Sequence, residues 1–167
     1  LLVGDISYVH SNYTNLWRYF NYSSNELFSM ESYLGKFMRT RPAMFRSGKT
    51  LFVHAGVSKE LLESKLPFDS INYLVKNFFT SPVPSTSDTE RLLILDKGPL
   101  WSRSYFKNFD TTKSITDSIV DLTLKQFDVD RIVVGHTEVP QIVLLFDGKV
   151  VAVNVPFSDT INSQVLM

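Results

Sequence analysis

The sequence predicts an α/β fold with a ligand site at the carboxyl ends of its strands, on three observations. Two short runs, Leu51-Phe52-Val53-His54-Ala55-Gly56-Val57 and Arg131-Ile132-Val133-Val134-Gly135-His136-Thr137, are apolar, β-branched or aromatic, and each stops at a histidine with a glycine one or two residues away. Such runs read as buried strands. Around them lie stretches with apolar residues at helical spacing, and after them Asp147-Gly148 joins two further apolar runs as a hairpin. In open α/β sheets ligands collect just outside the carboxyl ends of strands, where glycine lets backbone and ligand approach closely. His54 or His136 alone reads as a strand cap, its imidazole satisfied by a carbonyl and a water. The pair, in matching settings, points to a metal.

At 167 residues, 44% of them hydrophobic, the chain has a one-domain length and enough apolar matter for a core. The formal net charge is zero and no basic run exceeds a pair, so the electrostatic footprint of a nucleic-acid binder is missing. Its apolar runs are only a few residues long, too short to span a bilayer. There is no cysteine, which removes disulfides and thiolate metal sites but leaves the compartment open. Leu1-Leu2-Val3-Gly4-Asp5 carry neither an initiator Met nor a charged leader, so a portion upstream of Leu1 is expected.

Residues 1 to 23 are rich in Tyr, Asn and Ser and read as loop, with one short helix around Leu16 to Phe20. Ser24 or Asn25 caps a helix from about Glu26 to Arg39, whose Leu27, Met30, Tyr33, Leu34, Phe37 and Met38 fall at helical spacing. Pro42 ends it. Ala43 to Arg46 pairs with Thr50 to His54 through a tight Ser47-Gly48-Lys49 turn. Ser58 caps a helix through Lys65, and Asp69 another through Phe79.

Pro82, Pro84 and a Ser/Thr cluster make residues 80 to 90 an irregular connection. Leu92 to Leu95 is a short apolar run, followed by a loop over Asp96 to Arg103. Thr112 to Phe127 is an amphipathic helix with Ile115, Ile119, Leu122 and Phe127 on one face. Gln141 to Phe146 and Lys149 to Val155 form the closing hairpin, and a polar tail follows Pro156. Asp96 and Asp147 read as loop and turn residues, Tyr105 and His10 as packing.

Phe52-Val53-His54-Ala55-Gly56-Val57-Ser58, then Gly98-Pro99-Leu100-Trp101-Ser102-Arg103, then Val134-Gly135-His136-Thr137 and Leu145-Phe146-Asp147-Gly148-Lys149-Val150, stand in a fixed order. That ordered set resembles the calcineurin-like metallophosphoesterases, in the bacterial branch near the Shewanella-like protein phosphatases. Gly4-Asp5-Ile6-Ser7-Tyr8-Val9-His10 is similar to the segment after the family's Gly-Asn-His-Glu motif. The resemblance covers nearly the whole chain but only the second half of a family domain. It implies that residues 1–167 are the C-terminal part of one metallophosphoesterase domain, a β-sandwich flanked by helices and lacking its N-terminal βαβ part.

The resemblance also implies a function. Full-length members hold two divalent metals, with Mn, Fe, Zn and Mg all open here, and hydrolyse phosphomonoesters. His54 and His136 match two later histidine ligands of the second metal, and Arg103 matches a phosphate-binding arginine. No Asp-x-His, Gly-Asp-x-x-Asp-Arg or Gly-Asn-His-Glu is found in the sequence. The family's Gly-His-x-His is replaced by Gly135-His136-Thr137-Glu138, as in the protein-phosphatase-like branch. The substrates implied are phosphorylated small molecules or phosphoproteins, and the isolated chain is expected to be inactive. The alternative is a non-catalytic, phosphatase-like binding module.

Overall fold

The computed structural model describes residues 24–81, 87–106 and 115–156. The expectations for residues 1–23, including His10 and the helix near Leu16, lie outside the described residues. So do those for the middle of the 80–90 connection, for Thr112 to Ser114 and for the tail beyond Pro156.

Five strands, β1 (Met44–Ser47), β2 (Thr50–Val53), β3 (Arg131–Val134), β4 (Val143–Leu145) and β5 (Val150–Ala152), form one sheet in the order β1-β2-β3-β5-β4. β2, β3 and β5 run parallel in the centre, and β1 and β4 are antiparallel edges. The helices are α1 (Ser24–Leu27), α2 (Tyr33–Arg39), α3 (Lys59–Glu63), α4 (Phe68–Thr80), α5 (Asp88–Ile94) and α6 (Asp117–Phe127). The chain is therefore α/β with a mixed sheet, and α3 to α6 occupy the long crossover from β2 to β3.

Alternation along strands divides the sheet into two faces. Met44, Leu51, Val53, Ile132, Val134, Val150 and Ala152 share one face by their register. They bury against Leu61, Ile71, Val75, Leu93, Val120 and Phe127 of the helices. Each Val, Leu, Ile, Phe or Met side chain taken fully from water contributes about 1.5–3 kcal/mol. On the other face Phe45, Phe52, Val133, Val151 and Leu144 stand in one row across all five strands. Val133 and Val151 are buried there, whereas Phe45 and Leu144 at the edges are exposed.

The β1–β2 hairpin turns at Gly48-Lys49, with Gly48 at φ +55 where side chains are strained. The long helix expected over Glu26 to Arg39 is instead two, α1 and α2. Serines break it: the Ser32 hydroxyl donates to the Leu27 carbonyl and accepts from Gly35 N–H, while Ser32 N–H donates to Ser29 Oγ. Short hydroxyls offer the backbone a competing partner. Asp69 is not the cap of α4; Pro67 holds that position without a side-chain bond, and Asp69 sits in the first turn. The Leu92 to Leu95 run belongs largely to α5, whose N-cap is Ser87: its Oγ accepts from Glu90 N–H and donates to the Glu90 carboxylate. Leu122 is exposed, not on the buried face of α6. Thr123 takes the buried place, its hydroxyl donating to Ile119 O. Phe146, expected in a strand, lies in the last turn at φ +52.

Asn72 of α4 closes the open edge of β1. Its Oδ1 accepts from Met44 N–H and its Nδ2 donates to Met44 O, both at 2.9 Å. Removing the amide leaves two backbone groups beside the fully buried Met44 without these partners. Asn72→Ala is expected to lower stability by on the order of 2 kcal/mol, read as a lower urea midpoint at unchanged slope. An unchanged midpoint would show that water replaces the amide at no cost.

Candidate functional site

Parallel pairing sets Val53 beside Val134, and Gly135 N–H donates to His54 O at 2.9 Å, extending the pairing beyond both strands. The two histidines then meet. His54 Nε2 lies 3.1 Å from His136 Nδ1, with ring centroids 4.9 Å apart. At that distance one neutral imidazole donates N–H and the other accepts.

His136 is buried and has φ +57, a left-handed conformation that is uncommon for any residue but glycine. Thr137 N–H donates to Gly135 O at 2.6 Å, making a three-residue γ-turn of the rare positive-φ form centred on His136. Strain of this kind costs about 1–3 kcal/mol and persists where surrounding contacts over-determine it.

The loop from Gly98 to Phe106 flanks the pair and is tied to the exit of β2. Ala55 N–H donates to Pro99 O at 2.9 Å, and Ser58 Oγ donates to Lys97 O at 2.7 Å. A Cβ on Gly98 would stand 1.9 Å from Leu93 O, so only glycine fits. Two side chains of this loop reach His136 or the residue that follows it. The Trp101 ring meets the His136 ring edge-on, with centroids 5.2 Å apart. Arg103 Nη1 donates to Thr137 Oγ1 at 3.0 Å, which places the guanidinium against the residue following His136. Trp101 itself is 49% exposed. The anchors are backbone bonds and the buried Tyr105, which packs on Phe146.

Two further residues of the site escaped the sequence reading. Thr137 receives Arg103, and Asn154 donates from Nδ2 to His136 O at 3.2 Å. The one available signal for Asn154 was a polar residue interrupting the apolar run Val150 to Val155. Glu138 is exposed, Asp96 lies exposed in its loop, and Asp147 lies in the hairpin turn at φ +54. Among the described residues no group of three or more His, Cys, Asp or Glu is placed to hold a metal ion.

The two imidazoles nevertheless fit part of a ligand set. Nitrogens bound at about 2.1 Å to one ion stand about 3.0 Å apart at a right angle and about 3.4 Å apart at the tetrahedral angle. The observed 3.1 Å lies between these. Two ligands are fewer than the three or four that hold zinc firmly.

No protein-family model matches the sequence, and no curated protein matches it significantly. Solved structures do. A cold-active protein tyrosine phosphatase determined at 1.1 Å is 29% identical, with TM-score 0.72, over 90% of this chain and 44% of that one. A point mutant of a cold-active protein tyrosine phosphatase is 30% identical over 92% of this chain and 45% of that one, again at TM-score 0.72. The cold-active protein tyrosine phosphatase of a psychrophilic Shewanella species is 28% identical over 90% and 45%, also at 0.72. The chain spans less than half the length of these structures. The likeness extends to sequence and fold together, and it is to phosphatases.

Tyr105 lies beneath the site, its hydroxyl accepting from Val57 N–H at 3.3 Å, and a Cβ on Gly56 would come within 2.9 Å of its ring. Burial pushes its phenol well above the ordinary tyrosine value of 10.0, while the Val57 bond works weakly the other way. A raised folded pKa means stability that is fully present below the unfolded pKa and lost as pH rises above it. Raising the pH from 9 to about 11 is therefore expected to lower the urea midpoint more in the wild type than in Tyr105→Phe. Equal losses in both would show that Tyr105 does not carry the alkaline transition.

Proposed function

We propose that this chain is the C-terminal part of a metal-dependent phosphatase domain of the calcineurin-like kind, acting on phosphomonoesters. The observation that carries this reading is the 3.1 Å approach of His54 Nε2 and His136 Nδ1 at adjacent carboxyl strand ends. The likeness to tyrosine phosphatases supports it. So does the apolar row Phe45, Phe52, Val133, Val151 and Leu144, which suits the packing of a second layer of a sandwich.

In this reading His54 and His136 hold one divalent ion as neutral nitrogen ligands, and the other ligands come from outside the described residues. A bound divalent ion supplies a Lewis acid for the phosphoryl oxygens and lowers the pKa of bound water. Arg103 grips two phosphate oxygens with its planar guanidinium, always charged and matched to them in shape. Thr137 fixes where that guanidinium lies, and Trp101 forms a half-exposed wall beside His136. Mn, Fe, Zn and Mg all remain candidates for the ion. A second reading, a non-catalytic module that recognises phosphate, is favoured by the lack of a third ligand among the described residues.

Dialysis against Mn2+ followed by metal analysis, and turnover of p-nitrophenyl phosphate, test the proposal together. Wild-type chain is expected to retain more metal than His54→Ala or His136→Ala, with weak turnover or none. Equal retention in all three overturns the metal pair. Robust turnover lost in His136→Ala would instead show that the described ligands suffice. Arg103→Lys is expected to keep the metal but weaken orthophosphate binding by about one to two decades, the worth of a charge-assisted bond of roughly 1.5–3 kcal/mol. Wild-type phosphate affinity in Arg103→Lys removes Arg103 from the site. Phosphate binding that is indifferent to metal, without turnover, favours the non-catalytic module.

A further inference from the structure

We infer that Asn154 is a positioning residue that holds His136 in its strained turn and so aims Nδ1 at His54. Its functional weight rests on reading the pair as metal ligands; its geometry does not. The parallel pairing of β3 and β5 ends with Val134 opposite Ala152, so that His136 and Asn154 each lie two residues past the last pair. Val153 N–H donates to Val134 O at 2.9 Å and Val139 N–H donates to Asn154 O at 2.9 Å. The Val153–Asn154 segment is thus pinned to the chain on both sides of the γ-turn, by Val153 N–H before it and by Asn154 O after it. Val155 N–H donates to Val153 O at 3.0 Å, closing a second three-residue turn centred on Asn154.

A γ-turn spends the flanking groups on each other: Gly135 O accepts from Thr137 N–H. The carbonyl of the central residue then points away and needs a donor of its own. Asn154 Nδ2 supplies one at 3.2 Å, from a side chain short enough to be held rigidly by its backbone. Rotation of the His136 peptide would break this bond and swing the imidazole from His54. A hydrogen bond to the carbonyl of a ligand residue fixes its peptide plane and with it the direction in which the side chain leaves the backbone. Loss of partners on a ligating ring itself typically weakens metal binding 10–100-fold, which sets the scale here.

The experiment compares the wild-type chain with Asn154→Asp, which keeps the shape but cannot donate, and Asn154→Leu, which keeps the bulk without polarity. Three readouts are taken: the histidine ring N–H signals in metal-free long-range 1H–15N spectra, Zn2+ affinity by calorimetry, and thermal midpoint. Both variants are expected to lose the shared N–H signal of the His54–His136 pair and to bind Zn2+ at least 10-fold more weakly. Wild-type signal and affinity in either variant overturns the inference. Wild-type chain that shows the shared proton but binds no Zn2+, with the proton lost in both variants, upholds the positioning role and overturns the metal reading instead. Should both variants fail to fold, side-chain amide exchange in the wild type decides. Asn154 Nδ2–H is expected to exchange more slowly than exposed Asn amides, and exchange at their rate overturns the inference.

Discussion

The parallel pairing of β2 with β3 is the constraint on which the site depends. Thr50 to Val53 lie against Arg131 to Val134 in register, although some eighty residues separate them in sequence. Two strands that run the same way end at the same edge, and their first residues beyond the ladder become neighbours. An antiparallel pair would have put the histidines at opposite ends. The crossover helices bury the face made by Leu51, Val53, Ile132 and Val134, and this burial fixes the register. A slip of one residue would turn each of these side chains to the other face.

Much of this was legible in the sequence because it depends on local patterns. The apolar runs gave β2 and β3, a histidine with a nearby glycine marked each exit, and Ser58 and Asp147-Gly148 announced a cap and a turn that the structure contains. Convergence of His54 and His136 followed from two strands of like setting in one sheet. Other features could not be read this way. The break between α1 and α2 depends on Ser29 and Ser32 outcompeting good helical periodicity. Leu122 and Thr123 exchange their expected places because the core, not hydrophobicity alone, selects the buried stripe of α6. The Ser87 cap of α5, with Glu90 three residues on, is masked in the sequence by the prolines that dominate the stretch before it. Asn154 and Thr137 act through long-range contacts that no spacing announces.

Rigidity is distributed unevenly around the pair. Backbone bonds do most of the holding: Gly135 to His54, Ala55 to Pro99, Val139 to Asn154. Side chains then add direction, Asn154 for His136 and Thr137 for Arg103. Such an arrangement suits ligands that must keep their places before an ion arrives, because ordering them beforehand removes an entropic cost from binding. It also explains why a strained φ at His136 is tolerated, since the turn is held from the β5 side as well as its own.

The account turns on whether the closely opposed imidazoles are two ligands of one ion. Anomalous diffraction from a Mn2+-soaked crystal, collected at energies on both sides of the metal absorption edge, tests it most directly. The account predicts a peak between His54 Nε2 and His136 Nδ1, about 2.1–2.2 Å from each, with the direct contact between the two nitrogens replaced by bonds to the ion. Density that leaves the 3.1 Å contact intact at saturating metal, with any anomalous peak elsewhere on the chain, would contradict it.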